Sequence, residues 1–378
     1  MTRVQLSITL FTTFLVFCTL YTPQPILPQL VLEFGVAKTE AALLMTATLL
    51  PLGLAPVFCG YFLQAVPART MLRIALALLI ADQLLLFIST EFWHLLTLRF
   101  IQGLLMPALF TSLMTYCATM SSKDKVRATM GLYVAATIVG GFLSRALSGY
   151  LSATIGWQWV FLVLAMALLI PLWLTAKIDA DAEINFARLD AKAVSRVLQV
   201  PDYAFSYLAL ATIFITLTGI LSLLPFRIDE IAAGASSFTI SMVYTGYMIG
   251  IPMAIMSDQI SLKVGGVKNA LLIGLGLIII GMVFYLIPSV PILFTFMIAH
   301  AGGFFLIHST LSGYLNHIAL EHKGVVNGIY VSVYYLSATL GSWLPFLLYQ
   351  HLGWQPMIYL FIAILFSAIL FILKLRQQ

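Results

Sequence analysis

Twelve mainly apolar stretches, separated by short polar breaks, fill almost the whole sequence: 5–30, 40–63, 71–89, 93–116, 129–152, 157–176, 203–226, 237–256, 268–288, 292–315, 325–349 and 354–373. A helix needs about 20 such residues to cross the hydrocarbon core of a bilayer. No alternating apolar–polar segments of barrel type occur, and backbone in lipid must satisfy its own hydrogen bonds, so each stretch is expected to be a helix. Composition agrees. Of 378 residues, 61% are hydrophobic and 9% charged, too few charges to clothe a water-soluble globule. Three cysteines, Cys18, Cys59 and Cys117, make an odd number and fall inside apolar stretches, so they read as small buried hydrophobes and not as a disulfide framework. The apolar and aromatic content excludes disorder, and neither a collagen nor a heptad period appears. The expected class is an all-α polytopic membrane protein with twelve transmembrane helices.

Charge orients the chain. The formal net charge of +5 does not point to nucleic acid, because the 19 Lys and Arg sit in short loops between apolar stretches. With the N-terminus inside and twelve crossings, fifteen of them fall on the inner side, Lys38 and Arg227 fall outside, and Arg99 and Arg145 lie within spans. That asymmetry follows the positive-inside rule and supports both the number of spans and the orientation, with both termini cytoplasmic in a plasma (inner) membrane. Only Arg3 precedes the first span, its apolar run is long, and no small-residue cleavage site follows, so it is expected to remain as a helix.

The chain reads as two halves, 1–176 and 203–378, each a six-helix bundle, joined by the longest polar stretch, 177–202. In that connection Arg188, Lys192 and Arg196 recur every four residues beside Leu189, Ala193, Val197 and Val200, which predicts a short amphipathic helix on the inner membrane surface. The halves share a pattern. Gly131, Tyr133 and Val134 recur as Gly328, Tyr330 and Val331, and Gly156-Trp157 recurs as Gly353-Trp354, all at an offset of 197 residues. A duplicated six-span unit is the sequence trace of a transporter whose halves rock about a midplane site.

Several motifs resemble the major facilitator superfamily over nearly the whole chain. Gly60 and Arg69 match the basic loop after the second span of that family, although Gln64 stands at its acidic position and Pro67 at its second glycine. The family's acid helps to lock the outward-facing state. The resemblance therefore implies that such a lock leans on Asp258, followed by Lys263, in the loop expected after span eight. Arg99-Phe-Ile-Gln102-Gly103 resembles the family's R-x-x-Q-G motif, whose arginine is linked to proton coupling. The glycine-rich fifth span with Arg145, the Gly-Phe-Phe-x-x-His-Ser run at 303–309 and Tyr21-Thr-Pro-Gln-Pro25 are most similar to YnfM-type efflux permeases. The fold of this family lines its cavity with spans one, four, seven and ten. This implies cavity positions for Tyr21, Gln24, Gln102, Met106, Phe110, Tyr207, Phe214, Thr218 and Phe304, with Tyr330, Tyr334 and Tyr335 added from span eleven. That polar and aromatic set suits an amphipathic organic solute better than a bare ion.

Ionisable side chains inside spans are costly and mark function by default. Asp82, Arg99 and Arg145 each lie about seven residues from the outer end of a span, roughly 10 Å deep. One layer thus holds all three, and an Asp82–Arg99 pair leaves a net positive charge with Arg145. Two readings stand: an anion-binding or proton-linked cluster, or an ion-pair network that pins helices or closes an outer gate. In the second half His300 and His308 are candidates for carrying a transported proton. They are eight residues apart, about 12 Å along a helix, and so cannot share a metal. No G-x-x-x-x-G-K-[ST] loop occurs, which excludes ATP drive within the chain. The histidines have no nucleophile beside them, so an intramembrane enzyme is not expected. The expectation is a monomeric secondary transporter with no cofactor, in the lipid bilayer, driven by a proton gradient. It would export a small-molecule substrate, an organic solute that is neutral or anionic, export resting on the family resemblance. Import or exchange of an anionic metabolite is the alternative, and a non-transporting membrane sensor a remote one.

Overall fold

The computed structural model describes residues 3–62, 67–119, 126–178, 189–319 and 323–376; for 59–62, 118–119 and 126–128 it describes the backbone only. The architecture is all-α, with no strand among the described residues. The helices are α1 (Arg3–Leu20), α2 (Leu27–Phe34), α3 (Lys38–Phe62), α4 (Ala68–Ile88), α5 (Phe92–Thr119), α6 (Val126–Thr154), α7 (Gln158–Leu174) and α8 (Ala191–Leu198). They continue as α9 (Pro201–Ile231), α10 (Ser237–Met242), α11 (Gly250–Lys263), α12 (Val267–Phe284), α13 (Val290–Ile318), α14 (Lys323–Leu352) and α15 (Trp354–Leu373). Among the described residues, twelve stretches are long and apolar enough to cross a membrane; α1 and α2 share the first, α10 and α11 the eighth.

Two spans depart from the expected continuous helices. The first breaks after Leu20, turns through residues 21–23, makes a 3₁₀ turn at Gln24–Ile26 and resumes as α2. Pro23 and Pro25 lack the N–H that a continuing helix requires, and their rings clash with the preceding turn. Gly35 then ends α2 in the left-handed conformation at φ 61°. The eighth span runs as 3₁₀ helix over Val243–Ile249. There Gly246 approaches α13 so closely that a Cβ would lie 2.9 Å from the Ile298 nitrogen. A third correction concerns Ser257-Asp258-Gln259. These residues are not in a loop; α11 continues through them to Lys263 and stops only where Gly265 and Gly266 take φ values of 86° and 120°.

The chain divides into two compact units, residues 1–186 with 236–241, and residues 187–235 with 242–378. Within the first, α1 packs on α6, α3 on α5, and α4 on α5 and α7; within the second, α9 packs on α14 and α15, and α13 on α11 and α12. The first-span–fifth-span pairing of one unit thus recurs in the other. The repeated Gly-Trp pairs also behave alike: Gly156 and Gly353 take φ values of 113° and 74°, and Trp157 and Trp354 are buried at the helix starts that follow. The amphipathic stretch of the connection forms α8, capped at its N-terminus by the Asp190 carboxylate on the Ala193 N–H at 2.6 Å. Ala193 and Val197 are buried, Lys192 and Arg196 exposed, and Arg188 lies outside the described residues.

Candidate functional site

The break in α1 organises the first unit. A helix that ends inside a span leaves its last carbonyls without intrahelical donors, and lipid supplies none. Here the donors come from neighbouring helices and from Thr22 in the break itself. The Arg99 guanidinium, on α5, donates from Nη1 to the Thr19 oxygen at 3.0 Å, from Nη2 to the Leu20 oxygen at 2.6 Å and from Nε to the Leu44 oxygen of α3 at 3.3 Å. A further Nη1 bond goes to Gln102 Oε1, and Gln102 Nε2 returns to the Thr19 oxygen and Oγ1 at 3.0 and 2.9 Å. Thr22 Oγ1 donates to the Cys18 oxygen at 3.0 Å, and Ser148 Oγ on α6 donates to the Thr22 oxygen at 2.6 Å. Four of the five guanidinium N–H groups of Arg99 are thus committed. The helix C-terminus, with its partial negative charge, meets the cation. Gly103 completes the motif: a Cβ there would lie 2.5 Å from the Thr48 oxygen, so its absence lets α3 reach α5, where Thr48 Oγ1 bonds the Arg99 oxygen at 3.0 Å.

Arg145, on α6, grips the next turn of the same break. Its Nε donates to Gln24 Oε1 at 2.6 Å, its Nη1 to the Gly141 oxygen at 2.6 Å, and its guanidinium lies 4.2 Å from the Tyr21 ring centre. Gln24, Arg99 and Arg145 are all buried. Gly140 makes this approach possible, because a Cβ there would lie 2.6 Å from the Phe14 oxygen of α1. The structure therefore brings Tyr21, Gln24, Arg99, Gln102 and Arg145 to one place. Of the other candidates on this unit, Met106 is fully enclosed and Phe110 stacks on Phe17 at 4.5 Å.

Asp82 does not form the ion pair with Arg99. It is 3% exposed and lies near enough to interact with the Arg99 charge, but its Oδ2 accepts only from Gln83 Nε2 at 3.2 Å, and Oδ1 has no hydrogen-bond partner. Four of the five Arg99 N–H groups go to backbone and amide oxygens instead. Gln83 Oε1 beside it is buried and also without a partner.

The second unit carries an aromatic cluster around His308 on α13. The imidazole lies parallel to Phe304, at 5.7 Å and 9°, with Phe214 edge-on at 5.6 Å, and Tyr330 and Tyr334 at 5.6 and 5.7 Å. Phe214 also meets Tyr334 at 4.1 Å, and the Tyr335 ring lies tilted against Tyr334 at 4.2 Å. Tyr207, on α9, is tied to the Val326 oxygen at 2.9 Å, and Thr218 Oγ1 to the Phe214 oxygen at 2.7 Å. His300 stands elsewhere: it is fully buried, stacked on Tyr285 at 5.8 Å, and both ring nitrogens lack partners. Among the described residues no group of three or more His, Cys, Asp or Glu is placed to hold a metal.

Of the motif residues in the loop after span two, Gly60 is still helical, within α3; Gln64 lies outside the described residues; and Arg69 caps the Ala176 oxygen at 3.3 Å. Asp258 and Lys263 are exposed on α11. Two polar clusters escape sequence reasoning. Asp202, in the first turn of α9, accepts from Tyr314 Oη and the Arg376 N–H, both at 2.9 Å, and pairs with Arg376 Nε at 3.2 Å. Glu230, near the other end of α9, accepts from Tyr349 Oη at 2.6 Å and from Arg227 at 3.4 Å. Their acids sit at span ends, where a sequence shows only a boundary. Tyrosines three and four spans away carry no mark of the pairing.

Known proteins extend this picture. The model of the Major Facilitator Superfamily matches residues 9–342. The chain is 24% identical to an uncharacterized transporter of Buchnera aphidicola from Acyrthosiphon pisum over 97% of its own length and 90% of that protein's. It is 23% identical to the inner membrane transport protein YnfM of Escherichia coli K12, covering 90% and 82% of the two chains. It is 21% identical to the uncharacterized MFS-type transporter YybF of Bacillus subtilis, covering 89% and 85%. Twelve helices long and apolar enough to cross a membrane among the described residues, a family match over residues 9–342 and transporter relatives aligned over most of their length agree. The chain belongs to the major facilitator superfamily, and it is an integral membrane transporter, not an enzyme.

Proposed function

We propose that this transporter is a monomer in the plasma membrane, with both termini cytoplasmic, and that it exports a small organic solute in exchange for protons by alternating access. Asp82 carries the proton-coupled reading. It is a buried carboxyl inside a span, with one oxygen unpartnered and only an amide on the other. Gain or loss of a proton there changes both its charge and its bonding, beside a cation whose own bonds hold the break in α1. The charge asymmetry of the loops supports the orientation, and likeness to YnfM supports a bacterial inner membrane.

The test uses purified protein in proteoliposomes loaded with a pH-sensitive dye. A panel of aromatic and aliphatic solutes is added with and without an imposed pH gradient. At least one solute should move uphill at the expense of the gradient. In Asp82→Asn that solute should still move downhill, with uphill movement lost. Uphill flux that is unchanged in Asp82→Asn overturns the assignment of the proton to Asp82, and solute movement that never responds to the gradient overturns proton coupling. Import or exchange of an anionic metabolite is the second reading. It draws on Arg145, a buried cation inside a span. Preferential counterflow of carboxylates would favour it.

A further inference from the structure

Two contacts of Tyr330 bear on the state of His308. The Tyr330 hydroxyl lies 2.7 Å from His308 Nδ1 and 3.1 Å from the His308 carbonyl oxygen. A phenol has one proton, and a carbonyl only accepts. Both contacts are hydrogen bonds at once only when the hydroxyl donates to the carbonyl and Nδ1 carries a hydrogen that it donates to the hydroxyl oxygen, and the half-site argued below uses that arrangement. Neutral His308 is then the Nδ1–H tautomer, with its remaining lone pair on Nε2. That atom bonds to no described residue, and unlike the nitrogens of His300 it is not enclosed; His308 as a whole is half-buried.

The surroundings add shape and exclude charge. Phe214 and Phe304 are buried behind the imidazole and hold its plane, while Tyr334 is half-buried beside it. The titratable groups in contact with it from the neighbouring helices are Tyr330 and Tyr334, both on α14. The acids of α9 on either side of Phe214, Asp202 and Asp229, are twelve and fifteen residues away, roughly 18 and 22 Å along the helix. An ammonium group therefore finds no counter-charge from this helix near His308, whereas a neutral hydroxyl or amine N–H finds an oriented acceptor on an aromatic surface.

We infer that His308 Nε2 and Tyr334 form a half-site on the second unit for a flat aromatic solute bearing a neutral O–H or N–H donor, of the phenol or indole kind. This names the substrate class within the transporter reading and rests on it.

The test measures equilibrium binding to the full-length protein in nanodiscs, with empty nanodiscs as control. Three probes share one ring system: 2-naphthol, 2-methoxynaphthalene, which lacks the donor, and 2-naphthoate, which carries an anion. The parent should bind 2-naphthol about tenfold tighter than the ether, the range expected when a desolvated acceptor loses its partner. It should bind 2-naphthol more tightly than the carboxylate as well. His308→Phe keeps an aromatic ring and should bring the naphthol-to-ether ratio close to one. Tyr330→Phe releases the tautomer and should lower the ratio severalfold, which provides a second reading should His308→Phe fold poorly. Equal affinity for naphthol and ether in the parent, tightest binding of the carboxylate, no binding of naphthol, or a ratio unchanged in both variants each overturns the half-site. Because binding is read without a gradient, a protein that binds as described yet moves no solute overturns the transport reading alone. Gradient-driven flux without a donor preference overturns the half-site alone.

Discussion

At the scale of single residues, Arg99 is first of all a structural cation. Its guanidinium serves carbonyls from α1 and α3 at once. A lysine ammonium is a point charge with three donors and lacks the planar fork that reaches several acceptors in fixed directions. Arg99→Lys should therefore lower stability by about 1–3 kcal/mol, and Arg99→Ala, which leaves the carbonyls and Gln102 unsatisfied, by about 3–5 kcal/mol. Thermal unfolding of purified protein in a fixed detergent checks both; an Arg99→Lys midpoint equal to the parent's would contradict the capping role. The identities of Asp82, Arg99, Arg145 and His308 are legible in the sequence because ionisable letters stand out in apolar stretches. What they bond to is not. The partners of Arg99 are mostly backbone oxygens, which no letter encodes, and the tautomer of His308 depends on a tyrosine one span away.

At the scale of elements, the twelve spans are legible because length and hydropathy alone decide them. The break in the first is written plainly as Pro23 and Pro25, yet apolar length outweighs it in a reading by span. Proline pair and arginine belong together, since the break exposes the carbonyls that the arginine satisfies. A double-mutant cycle between Pro25→Ala and Arg99→Ala should therefore be non-additive by about 1 kcal/mol or more. Additive losses would separate the two features. The end of the chain offers a second case. Asp202 is buried and receives Tyr314 and the Arg376 N–H, while the Arg376 side chain is 83% exposed. Asp202→Ala should thus cost about 1–3 kcal/mol and Arg376→Ala no more than about 1 kcal/mol. The same melting assay ranks them.

At the scale of the whole molecule, the repeated letters at an offset of 197 mark a repeated packing: α1 on α6 in one unit, α9 on α14 in the other. The charges inside the spans do not repeat, since Arg145 has Ser342 at its equivalent position. Duplication therefore explains the scaffold, and the site is specific to each unit. Orientation is checked by single cysteines at Ala233, after α9, and Ser195, on α8, both exposed, in a background without Cys18, Cys59 and Cys117. An impermeant thiol reagent should label Ala233→Cys in intact cells and Ser195→Cys only after permeabilisation; the reverse pattern would invert the transporter. The 3₁₀ stretch of the eighth span bears on the membrane itself. Its seven residues rise about 2.0 Å each where an α-helix rises 1.5 Å, so the span reaches about 3.5 Å further than its residue count implies. That increment is comparable to the difference in thickness between a thin and a thick bilayer. Rewinding this one stretch would match the span to a thinner membrane without moving a residue across its surface.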